Sequence, residues 1–139
     1  MCDLINFAKQ FENETETCCF RFILHFFETL DGIPLDIKTT KEQDIIIEEA
    51  RRTKHYRSWI EFMESQFDIY PFPSGYYPLS IMLFEDNNIK DAHMGIFLGN
   101  DLLIHATRKG VKIHKFSLLR KFCTSVAEFK FGIRHAKLH

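Results

Sequence analysis

The stretch Asp91–Thr107, DAHMGIFLGNDLLIHAT, governs how the chain is read. Apolar residues alternate on both sides of Gly99-Asn100-Asp101, the pattern of a β-hairpin closed by a glycine-containing turn. A three-residue loop pairs Leu98 with Leu102 and puts His105 opposite Gly95, on the same face as His93. The two imidazoles then become diagonal neighbours with backbones roughly 7–8 Å apart. A two-residue loop shifts the register by one and sends them to opposite faces. Gly95, between them, is expected to leave room for a helix terminus to approach.

Downstream of the hairpin, TRKG is a turn, VKIH a short strand and SVAEFKFGI a last strand; upstream, LSIMLFE is a strand and DNNIK a turn. YPFPSGYYP carries three of the four prolines and reads as a loop. The second half is therefore expected to be an antiparallel meander. His114 and His135 read as exposed strand ends.

The first half has helical spacing instead. In CCFRFILHFFETLDG (18–32), Phe22, Ile23, Phe26, Phe27 and Leu30 follow Cys19 at +3, +4, +7, +8 and +11, one face of a helix. Asp31-Gly32 ends it, Pro34 lies just beyond, and Thr15 and Thr17 offer capping hydroxyls before it. From Cys18 the +3 and +7 positions are Arg21 and His25, a polar edge, so Cys19 rather than Cys18 lies on the stripe that packs on the sheet. A thiol in a first helical turn also feels the positive end of the helix dipole, which favours thiolate. A shorter helix is expected at 3–12, another from about Thr40 through KEQDIIIEEARR, and a third at roughly Tyr56–Phe67. Helices first and strands afterwards define an α+β domain.

With 139 residues, the chain fits one domain, 1–139. Lys plus Arg number 18 and Asp plus Glu 19, so there is no basic excess of the kind a nucleic-acid binder needs. Fifteen Phe supply a sizeable core without staples. The four cysteines, two of them adjacent, have neither disulfide-framework nor zinc-site spacing, so neither metal nor cofactor is expected, and Cys2 and Cys123 read as structural. The N-terminal stretch lacks the pattern of a signal peptide, and no apolar run approaches the length of a membrane span. The expectation is cytoplasmic synthesis; oligomeric state is left open.

Cys19, His93 and His105 thus combine a nucleophile, a base and an orienting group. HMGIFLGNDLLIHAT resembles the histidine hairpin of NlpC/P60 cysteine peptidases, H-[VM]-G-I-[YF]-L-G, a turn, then apolar-apolar-I-H-A. CCFRFILHFFETLDGIPL resembles their nucleophile helix, D-C-x-G-L-V-x-x-V-Y-x-x-L-G-I-x-L-P, and the two motifs occur in the family's order. The resemblance implies a papain-like fold with Cys19 as nucleophile, His93 as general base and His105 orienting His93. It implies hydrolysis of an amide through an acyl-enzyme, with a peptidoglycan stem peptide as substrate, and delivery by a phage tail, lysis or secretion apparatus. Departures from the family pattern are Cys18 in place of its Asp, Arg21 in place of its Gly, and YYPLSIMLF where a Gly-Asp pair opens a strand. The alternatives are a thiol acyltransferase or deamidase using the same groups, and an inert binding module of the same fold.

Overall fold

The computed structural model describes residues 3–35, 45, 49, 57–86, 88–130 and 133, with the backbone alone at 57–59. Among the described residues, helices α1 (Leu4–Lys9), α2 (Cys19–Asp31) and α3 (Arg57–Gln66) precede strand β1 (Phe67–Pro71). Strands β2 (Ile81–Asp86), β3 (Ile89–Gly99), β4 (Leu102–Thr107) and β5 (Gly110–Lys115) follow. A short helix α4 (Phe116–Leu119) and a 3-10 turn (Arg120–Phe122) lead into β6 (Cys123–Phe129). The architecture is α+β, with a six-stranded antiparallel sheet in the order β1-β6-β2-β3-β4-β5. The expected helix from Thr40 lies almost wholly outside the described residues, as do Cys2 and His135.

The meander expectation holds for β2–β5 and needs correcting elsewhere. β6 returns to pair with β2, and FDIYP, part of it read as loop, forms the edge strand β1 beside β6. Pro71 is tolerated there because it ends an edge strand, where no ladder donor is lost.

Helix α2 spans the expected residues and ends at Gly32, whose φ of 70° is the left-handed C-cap conformation. Its start differs from expectation: Cys18 is the N-cap residue and makes no side-chain cap. Just ahead of the helix, the Glu16 carboxylate accepts the backbone N–H groups of Thr17 and Cys18, each at 3.0 Å. An acidic side chain at this point suits the positive end of a helix. Glu16 also pairs with Arg21, 3.3 Å away.

Burial on α2 is wider than one stripe, because Phe20 and Leu24 are enclosed along with Phe22, Ile23, Phe26 and Phe27. Phe20 stacks edge-on with Phe62 of α3 and Phe67 of β1, while Phe26 meets Phe7 and Phe11 from the α1 region. Aromatic pairs of this kind add roughly 0.5–1.5 kcal/mol each beyond area burial. The helix lies between the sheet on one side and α1 and α3 on the others.

The sheet is apolar on both faces. Ile81, Leu83, Met94, Ile96, Ile104 and Ala106 face α2. Met82, Phe84, Leu103 and Val126 point the other way, into a smaller cluster covered by Phe116 of α4. Asp101, in the β3–β4 turn, secures that cover: its carboxylate accepts from Ser117 N at 2.9 Å and Ser117 Oγ at 2.7 Å. No helix among the described residues is long and apolar enough to cross a membrane.

Candidate functional site

The β3–β4 hairpin pairs Ile96 with Ile104 and Phe97 with Leu103, which carries His105 opposite Gly95 as the alternation required. It reaches that register by a different route from the one expected. The turn has two residues, Asn100 and Asp101, both left-handed (φ 50° and 60°), as a type I′ turn demands. Leu102 pairs with Gly99 rather than Leu98, so the ladder slips between Phe97 and Gly99. A bulge adds one residue to a strand and restores the parity that a plain two-residue loop would invert.

The consequence is a direct contact between the rings: His93 Nε2 lies 2.8 Å from His105 Nδ1. A third ring continues the line, for His105 Nε2 lies 2.9 Å from His114 Nδ1. His114, read from sequence as an exposed strand end, is exposed but is part of the site. It stands opposite Leu103 on β5 and so is diagonal to His105 on the same face. The signal was available in the sequence: VKIH follows LLIHA through a short turn, so the same parity argument extends one strand further.

The sheet buries His105, half-buries His93 and leaves His114 in water. His105 is 6% exposed, and burial, followed by the neighbouring charges of His93 and His114, holds its pKa down at about 3. Burial also lowers that of His93, with the Asp86 carboxylate pulling weakly the other way. Both rings are thus neutral at physiological pH, and a neutral imidazole has one donor and one acceptor nitrogen. His93 has Phe84 at its side, ring centres 6.0 Å apart. Among the described residues, none hydrogen-bonds Nδ1 of His93.

Gly95 does not serve a helix terminus, which corrects the expectation for it. A Cβ there would meet His105 Cβ, the Ile104 carbonyl oxygen and Leu103 Cδ2, each at 3.0 Å. The residue is small because its cross-strand neighbours are close. The backbone crossing occurs instead at Gly110 (φ 97°), where an added Cβ would run into the Glu14 carbonyl oxygen. There Asn13 N donates to Val111 O (2.8 Å) and Val111 N to Glu14 O (2.9 Å), fixing the chain ahead of α2 to the sheet.

Cys19 is the first residue of α2, half-buried against the cluster that includes Met94 and Ile96. By strand alternation His93 and His105 point to the other face, with Phe84 and Leu103. Cys123 lies on the histidine side: it pairs with Phe84, which pairs with His93, so one strand separates thiol from ring. Burial pushes the Cys123 thiol up to about 12, and it points at the Ser125 carbonyl oxygen, 3.7 Å away. That thiol stays protonated and is a poor nucleophile.

Among the described residues no group of three or more His, Cys, Asp or Glu converges as metal ligands do; the three imidazoles run in a line. What the line can do is fix tautomers and spread the charge of a proton taken up at one end. No protein-family model matches the chain, and no curated protein matches it.

Proposed function

We propose that the chain is a cysteine hydrolase of papain-like, NlpC/P60 type that cleaves an amide through a thioester acyl-enzyme. Cys19 is the nucleophile, His93 the general base and His105 the group that orients His93; the substrate is a peptidoglycan stem peptide. The observation that carries this reading is the 2.8 Å contact between His93 Nε2 and His105 Nδ1. A general base needs one ring nitrogen held and the other open, and this contact holds Nε2 while Nδ1 remains to accept a thiol proton. Attack by the thiolate then expels an amine that takes the proton back from the imidazolium, and water releases the acyl group.

The thiol has to meet Nδ1 around the end of the sheet, since the histidines and the α2 core occupy different faces. Two features favour that meeting. His93 touches His105, two residues before Thr107 at the end of β4. Glu14, a short reach ahead of Cys19, is tied to Val111 at the same end. Cys123 does not replace Cys19, because its thiol is held protonated and Phe84 stands between it and His93.

A second reading, an inert binding module of the same fold, is favoured by the seat of Cys19 within an apolar cluster. Iodoacetamide labelling separates the two. A hydrolase shows Cys19 alkylated fastest of the cysteines at neutral pH, and slower after His93→Ala. Equal labelling of Cys18 and Cys19, indifferent to His93→Ala, sinks the thiol–imidazole pair. Muropeptide digestion read by mass spectrometry, with Cys19→Ala as control, tests the substrate: stem peptides left intact by both proteins refute peptidoglycan.

A further inference from the structure

We propose that His114 is a positioning residue that sets the direction of the three-imidazole line and thereby makes Nδ1 of His93 the basic nitrogen. The proposal deepens the hydrolase reading and rests on it for its catalytic meaning, but the tautomers it assigns can be measured without any substrate.

The contacts join Nε2 of one ring to Nδ1 of the next, twice in succession. With His105 neutral, its single ring proton admits two arrangements, because one N–H must be present in each contact. In the first, every ring carries its proton on Nε2: His93 donates to His105, His105 donates to His114, and His93 Nδ1 has a lone pair. In the second, every proton sits on Nδ1: His114 donates to His105, His105 donates to His93, and His93 Nδ1 bears hydrogen and accepts nothing. The first arrangement makes a base and the second does not.

His105 is buried, so nothing in its own surroundings beyond the two neighbouring rings decides between them. The outer ring decides. His114 lies exposed on the edge strand β5, with its Nε2 left for water once Nδ1 faces His105. Free neutral histidine favours the Nε2–H tautomer, so His114 presents an acceptor at Nδ1. His105 must then donate from Nε2 and accept at Nδ1, and His93 must donate from Nε2. Each ring transmits the choice because a neutral imidazole cannot donate from both nitrogens.

The test is nitrogen NMR of ring tautomers in the full-length chain at pH 7, with His114→Ala and His114→Gln. The wild-type protein is expected to show Nε2–H tautomers at His93, His105 and His114. His114→Ala, an exposed site, should leave His105 and His93 as tautomer mixtures. His114→Gln, whose amide oxygen can accept the same hydrogen bond, should restore the wild-type pattern. Once a substrate is in hand, His114→Ala should lower kcat by about three- to tenfold at unchanged KM, the equivalent of one hydrogen bond. An Nδ1–H tautomer at His105 in the wild type, or wild-type tautomers in His114→Ala, overturns the proposal. Cysteine labelling indifferent to His93→Ala would instead defeat the hydrolase reading and leave the tautomer assignment standing.

Discussion

Replacing Gly110 by alanine should loosen the junction between α2 and the sheet. The backbone there has φ 97°, outside the range an L side chain adopts comfortably, and such strain costs roughly 1–3 kcal/mol. The new Cβ would also drive against the Glu14 carbonyl oxygen, the acceptor of the Val111 N–H. Displacing that strand of chain loses the two hydrogen bonds between 13–14 and Val111, at ~1 kcal/mol each. The sum, about 3–5 kcal/mol, is a large share of the ~5–15 kcal/mol by which domains are usually stable. At about 3 °C per kcal/mol for a chain of this size, the melting temperature should fall by ~10–15 °C. Urea unfolding followed by circular dichroism would give the free energy, and the midpoint should drop with the slope unchanged. Amide exchange should speed up at Asn13 and Val111 before it does in β3. Gly75→Ala is the control, since nothing lies within 4 Å of a Cβ there and its φ is not left-handed. An alanine variant at 110 within about 0.5 kcal/mol of wild type would refute the strain and the clip together.

Two further outcomes follow from the buried titrating groups. The His105 pKa is about 3 in the fold and about 6.5 in an unfolded chain, so between these values the unfolded state binds a proton that the native state does not. This group leaves stability untouched above pH 6.5 and lowers it increasingly toward pH 3, by up to about 1.4 kcal/mol per unit; the lowered pKa of His93 acts in the same sense. Urea midpoints from pH 4 to 7 should rise with pH in the wild type and flatten in His105→Gln; a flat wild-type profile would contradict the burial argument. Cys123 should resist iodoacetamide at pH 8 in the native protein and react once guanidinium unfolds it, and equal rates in the two states would show its thiol is not held as described.

Several features of the site were legible from residue order, and their limits are physical. The parity of His93 and His105 follows from alternation along one hairpin, and the structure keeps it even though the turn is shorter and a bulge makes up the difference. The contact with His114 required only one more strand of the same reasoning. Strand β1 was hidden because FDIYP ends in proline and runs into a proline-rich loop, a local signal that argues against a strand. The place of β6 between β1 and β2 was hidden for a different reason: it depends on pairing between segments far apart in the chain.

By itself, the amino-acid order determined the helix at Cys19–Asp31, its glycine stop, and the shared face of the two hairpin histidines. These depend on periods of 3.6 and 2, and a period can be read from neighbours along the chain. Only the tertiary structure decided which face α2 covers. Met94 and Ile96 line one side of the sheet while Met82, Phe84 and Leu103 line the other. With both sides apolar, hydrophobicity gives the alternation but no preference between them. Packing against α1, α3 and Phe116 makes the choice, and it sets the histidine line and the α2 thiol on different sides of one sheet.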